Sequence, residues 1–203
     1  MKYIKGYKTF ESVITPSVIN NDIEIKTFED LVEFGRLNDF DVVDYEEFYD
    51  SLPEGDKKTA PPKVGTPFFA LFHPIRKKPM FVLCIKNMVG MPHLKTIVSD
   101  IIGHERIHGE QNIRRGGLEF SLPDPSIRKD YFSNKEEIMA FAWSIANELS
   151  REGKSLEESM IMLDKQKGMS TWIRLWSEIK RHCDDKIIKR YRKYIYLYLE
   201  EMI

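Results

Sequence analysis

The apolar positions of this 203-residue chain change their spacing near residue 93. Before that point they come in short clusters. Residues 27–37 predict a short helix, with Thr27 as N-cap and Phe28, Leu31, Val32 and Phe34 as its apolar positions. A second short helix is predicted over residues 45–52. Residues 53–67 carry four prolines and two glycines and predict a loop. Two β-like runs follow, Pro-Phe-Phe-Ala-Leu-Phe-His over 67–73 and Met-Phe-Val-Leu-Cys-Ile over 80–85. With the turn-like residues 74–79 between them, they predict a hairpin or two neighbouring strands.

After residue 93 the spacing is helical. A long helix is predicted over 93–115, stopped by Gly116-Gly117. Its apolar stripe is Leu94, Ile97, Val98, Ile101 and Ile102. His104 and His108 continue that stripe, while Arg106, Glu110 and Arg114 fall on the wet side. Residues 118–132, rich in proline and charge, predict a loop. Ser133 and Glu136 have the spacing of a capping box, opening a helix that ends near Gly153. Ser155 and Glu158 announce the next helix in the same way. Helical segments at 171–181 and 184–202 close the chain. The expected fold class is α+β and mostly helical: a small β-sheet from the 68–85 region on a helical bundle. The expected organisation is an N-terminal irregular and helical segment, 1–65, packed on a core of residues 66–203.

Composition narrows the function. A hydrophobic content of 42% and an aromatic content of 12% are enough for a real core. The net charge of -1 argues against a general nucleic-acid partner, which favours a basic excess. The basic run at 186–193 is interleaved with Ile187, Ile188 and Tyr191 and reads as a solvated helix face. Cys84 and Cys183 stand far apart with no Cys-x-x-Cys, which excludes a cysteine zinc ribbon. No signal-peptide core and no stretch near 18 apolar residues is present. The chain is therefore expected to be cytoplasmic, not secreted by a signal peptide, with no membrane partner.

The chemistry sits in His104-Glu105-Arg106-Ile107-His108. Histidines four apart on a helix lie one turn apart on one face, so both imidazoles can hold one zinc ion (Zn2+). The adjacent Glu105 can then act as general base toward water. A catalytic zinc needs a third protein ligand. His73, His93 and His182 are available, but none sits in a recognisable frame. A glutamate on the following helix is the better candidate, in the segment Asn134-Lys-Glu-Glu137-Ile-Met-Ala140.

Over residues 97–146 this pattern resembles the zincin metallopeptidases of the gluzincin type. In that type, a glutamate three after an Asn or three before a small residue supplies the third ligand. The metzincin branch is excluded, because Gln111 and Arg114 stand where it needs a glycine and a histidine. The resemblance implies a zinc-dependent peptidase with a peptide or protein substrate. It also implies a zincin-like two-helix metal core within 66–203, and a strand along the cleft that binds extended substrate. Between the neighbouring acids, Glu136 is accounted for by the capping box with Ser133. Glu137 is left without a local partner beside an apolar helix, where an unpaired carboxylate is costly. The expected metal ligands are therefore His104, His108 and Glu137.

One position departs from the family. Where an Asp or Asn commonly follows the small residue and braces a histidine, Phe141 stands. Asp100, one turn before His104, or a backbone carbonyl is the expected substitute. Tyr131 is the candidate donor to a developing oxyanion, with His73 second. The alternative function is a non-catalytic structural protein, in which zinc clips two helices or the tyrosine-rich C-terminal helix binds an assembly partner. The opening Met-Lys-Tyr-Ile-Lys resembles the start of tailed-phage proteins, which would imply a virion-associated component.

Overall fold

A computed structural model describes residues 23–58, 60, 67–73, 77–85, 89–116, 127–165 and 171–203. The opening pentapeptide, most of the residue 61–67 stretch, the 74–76 turn and residues 117–126 lie outside these.

Thr27 caps helix α1 (Phe28–Leu37) through a capping box completed by Asp30. Leu31 and Phe34 are fully buried, as the pattern predicts, but Val32 is 40% exposed and faces solvent. A short strand, β1 (Asp41–Asp44), follows and runs directly into α2 (Tyr45–Ser51), capped by the Asp44 side chain. The apolar pattern does not predict β1, because Val42 and Val43 are too few to establish a period of two.

Strands β2 (Phe68–His73) and β3 (Lys78–Leu83) pair antiparallel, as expected for a hairpin. β1 adds to the other side of β3 in parallel, giving the order β1-β3-β2. The central strand reads as a continuous apolar run because both of its faces are covered. Phe81 and Leu83 pack with Leu31, Phe34, Leu94, Val98 and Ile102, while Met80, Val82 and Cys84 pack with Tyr45 and Phe48.

Helix α3 (Leu94–Arg114) stops at Gly116, whose φ of 73° is a left-handed conformation that glycine adopts without strain. Its apolar stripe covers the sheet, with Leu94, Val98 and Ile102 buried. Two glycines let neighbours approach closely. A Cβ at Gly103 would lie 1.9 Å from the Trp143 ring, and one at Gly109 would lie 2.4 Å from the Phe72 ring. Arg106, expected on the wet side, is partly buried and donates to the Asn38 carbonyl at the end of α1.

Residues 128–132, expected within a loop, and Ser133, expected as a cap, form a short helix, α4 (Arg128–Ser133). This overturns the predicted capping box. Ser133 ends α4, and Asn134 is the N-cap of α5 (Lys135–Ser150), its side chain accepting from the Glu136 amide at 2.9 Å. Asn134 wins because the side chain of an N-cap reaches the amide two residues on as readily as three. The Ser155–Glu158 box is present as predicted and opens α6 (Leu156–Lys165). Helices α7 (Thr171–His182) and α8 (Asp185–Met202) complete the bundle, with Asp184 capping α8. α5 is buried almost all round, between α3 on one side and α8 on the other.

Candidate metal centre

α3 contributes two imidazoles and α5 one carboxylate to a single buried cluster. Nε2 of His104 and Nε2 of His108 lie 3.2 Å apart. The Glu137 oxygens stand 3.7 Å from His104 Nε2 and 3.5 Å from His108 Nε2. Donors about 2 Å from one tetrahedral ion are about 3.3 Å from each other. Each Glu137 oxygen approaches a different imidazole, and one donor atom from each of the three residues lies within 4.8 Å of the others, close enough for one metal ion to be held between them.

Second contacts fix which imidazole nitrogen carries the proton. Ser144 Oγ donates to the Ala140 carbonyl at 3.1 Å and lies 3.4 Å from His104 Nδ1. Its lone pairs thus face that nitrogen, as does the Ala140 carbonyl. Gln111 Oε1 lies 3.0 Å from His108 Nδ1, and Gln111 Nε2 donates to the Glu136 carbonyl at 3.1 Å. Both arrangements place the proton on Nδ1 and leave the Nε2 lone pair directed into the cluster.

Of the two braces expected for His104, the backbone carbonyl is supplied by Ala140, and Asp100 does not serve. Its carboxylate binds Arg151 in a two-point pair at 2.6 and 2.8 Å and accepts from Asn147 at 2.9 Å, tying α3 to α5 one turn below the cluster. Gln111 and Ser144 were legible only as positions. Gln111 lies three residues after His108, and Ser144 lies seven after Glu137, so each shares a helix face with a ligand. The Phe141 ring packs on His104 at 4.7 Å, filling the place where a bracing acid was expected.

Glu137 is 1% exposed, and neither of its carboxylate oxygens has a hydrogen-bond partner. Burial raises its pKa, against the opposing effects of His108 and the Tyr131 hydroxyl. That phenol faces the carboxylate without meeting good hydrogen-bond geometry. Burial also raises the Tyr131 hydroxyl well above its ordinary value, with the charges of Glu137 and Glu105 adding to it. Burial lowers His104, and lowers His108 to about 4, with the neighbouring His104 adding to the latter. Both imidazoles are therefore neutral near pH 7, the form in which they can bind a metal.

Glu136 is taken up elsewhere, its carboxylate paired with Arg115. The separation of the two acids therefore holds, on an ion pair instead of a capping box. Glu105 is partly buried beside the cluster. Burial raises its carboxyl to about 7, opposed by His104, reinforced by Glu137, and opposed again by the Phe72 amide. That amide belongs to the edge of the sheet. The Cys84 amide donates to the Pro67 carbonyl at 3.0 Å, so Phe68, Ala70 and Phe72 turn their backbone groups away from β3. Among the described residues that edge is unpaired.

His93 and His182 are not part of the cluster. His93 is the exposed N-cap of α3, without a side-chain capping bond. His73 ends β2, and His182 lies 3.5 Å from Glu178. Tyr191, Tyr194 and Tyr198 of α8 are buried in the chain's own core, and the Tyr191 hydroxyl donates to the Phe132 carbonyl at 3.0 Å. Among the described residues, no helix is long and apolar enough to cross a membrane.

The chain has a zincin-like two-helix metal core: a mostly helical fold with a small mixed sheet and a His-His-Glu triad split between α3 and α5. Comparison with protein-family models, curated proteins and solved structures gives no match.

Proposed function

We propose that this protein is a zinc-dependent hydrolase, most closely a metallopeptidase, with residues 66–203 as its catalytic unit and residues 1–65 packed on it. The observation that carries the reading is the orphaned carboxylate of Glu137, buried beside two neutral imidazoles whose Nε2 atoms converge on the same space. A buried carboxylate without partners costs several kcal/mol in real proteins. A divalent cation held by His104, His108 and Glu137 offsets that cost. Zinc, when bound there, supplies Lewis acidity toward a substrate carbonyl and toward water.

The chain's own groups do the rest. Glu105 takes the proton from the attacking water and returns it to the leaving amine. A carboxyl poised near 7 suits both directions of transfer. Tyr131 stays protonated at all working pH values and donates a hydrogen bond to the developing oxyanion. The outward amides and carbonyls of Phe68 and Ala70, with the Phe72 carbonyl, pair with an extended peptide laid along β2 while the Phe72 amide serves Glu105. Glu105 and Tyr131 favour this reading over a purely structural zinc clip, which needs neither a base nor a donor beside the metal. The buried tyrosines of α8 give no support to an assembly surface built from them.

The test is metal content followed by turnover. The purified chain is expected to bind about one zinc per molecule by three protein ligands, and to cleave members of a broad peptide library. Absence of bound zinc overturns the metal site. A zinc-loaded protein that cleaves nothing in the library overturns the hydrolase and leaves the clip.

A further inference from the structure

Gln111 is 6% exposed, on the face of α3 that carries His108. A primary amide placed there is costly unless both of its ends are used. Both ends are used, and they go to different elements. The amide nitrogen donates to the Glu136 carbonyl of α5 at 3.1 Å. Only the nitrogen end can face a carbonyl, so the oxygen end must face His108 Nδ1, 3.0 Å away. An acceptor at Nδ1 requires the proton on that nitrogen. The main chain beside Glu137 thus sets, through one side chain, the tautomer of His108.

One turn further along α3, Arg115 pairs with the carboxylate of the same Glu136. α3 therefore grips the residue preceding Glu137 at two points, its carbonyl and its side chain. The first turn of α5, where Glu137 sits, has its position fixed relative to His108.

We propose that Gln111 is a positioning residue for the metal, which sets the His108 tautomer and, together with the Arg115–Glu136 pair, holds Glu137 in register with it. This rests on the metal-site reading above. Because the brace is an uncharged amide, it orients His108 without adding a negative charge to a site that already holds Glu137 and Glu105.

The test uses the full chain and zinc alone. Zinc affinity is measured by competition with a chromophoric chelator for the parent, Gln111→Met, Gln111→Asn and Gln111→Glu. The His108 tautomer is read from imidazole nitrogen chemical shifts in the metal-free protein. Gln111→Met keeps the volume and loses both hydrogen bonds. It is expected to weaken zinc binding about 10–100-fold and to let the His108 proton distribute over both nitrogens. Gln111→Glu keeps an acceptor for Nδ1 and is expected to recover the tautomer and part of the affinity. Gln111→Asn is too short to reach both partners and is expected to fall between parent and Gln111→Met, so it carries the test if the methionine variant does not fold. Parent-like affinity and tautomer in the Met and Asn variants overturn this proposal alone. A parent that takes up no zinc overturns the metal reading and this proposal together.

Discussion

α5 meets two different kinds of neighbour. Toward α8 it contributes to one apolar cluster, in which Ile138, Ile145, Ala146 and Leu149 join Tyr191, Ile195, Tyr198 and Leu199. Toward α3 it presents Glu137, Ser144 and Asn147 to His104, His108 and Asp100. The first interface is held by area removed from water and needs no particular partner chemistry. The second is a set of buried polar groups that must each find a partner. Most do: Asp100 has Arg151 and Asn147, His108 has Gln111, and His104 has Ser144. Glu137 does not. A set of buried polar groups that find one another, beside a carboxylate that does not and that two imidazole Nε2 atoms face, is a cluster able to hold a cation.

The sharpest separation of the two faces comes from Glu105→Gln. Hydrolysis should fall by about 10²–10⁴-fold, the usual contribution of general acid–base catalysis, while zinc content stays at the parent value. Steady-state rates beside elemental analysis check this, and lost zinc in the variant would assign Glu105 to the metal instead.

On the apolar face, Leu199→Ala should cost roughly 2–5 kcal/mol, the range for truncating a fully buried leucine. Denaturant unfolding with and without chelator should give the same loss. A loss that depends on metal would join the two faces that the packing separates.

Acidity offers a third separation. In the metal-free fold burial pushes the Glu105 carboxyl up to about 7, against an ordinary value of 4.5. Well below 4.5 the carboxyl is protonated both folded and unfolded, and it contributes nothing. As pH rises from 4.5 toward 7 the unfolded chain gives up its proton more readily, so this group destabilises the fold, by roughly 3 kcal/mol once pH exceeds the folded value. Glutamine does not titrate. Metal-free Glu105→Gln should therefore gain stability over the parent between pH 4.5 and 7.5 or so, and a gap that stays constant across melts in that range contradicts it. His104 and His108 shift in the opposite direction through burial, which both proteins share; the substitution removes only the smaller, opposing effect of the Glu105 charge on His104.

The smallest effect lies where the two faces meet. Gly103→Ala would push a methyl into the Trp143 ring and should cost about 1–3 kcal/mol, as overpacking does. It should also loosen zinc binding, because the same contact sets how closely α3 approaches α5. Unchanged stability would show that Trp143 can move aside.

Much of the frame was legible in residue order. The 3.6-residue spacing located α3, α5 and α8, the hairpin was readable from its apolar runs, and the phase of the α3 stripe turned His104 and His108 inward. Reading failed where signals were local and short. β1 has two apolar residues and owes its state to pairing with β3. α4 is one and a half turns long, and Tyr191 of α8 bonds a carbonyl within it. Ser133 and Glu136 had the spacing of a cap, yet Asn134 took that role.

The sequence by itself determined which residues could hold a metal, because helical spacing fixes which side chains share a face. It put His104 and His108 one turn apart with Glu105 between them, and it offered Glu136 and Glu137 on a second helix. Tertiary structure alone decided which acid was left over and what braced the ligands. Arg115 claims Glu136, Arg151 claims Asp100, and Gln111 and Ser144 reach the histidines, one along its own helix and one from across the interface. Apart from the contact of Gln111 with His108, those assignments depend on distances between helices, which no periodicity within one helix encodes.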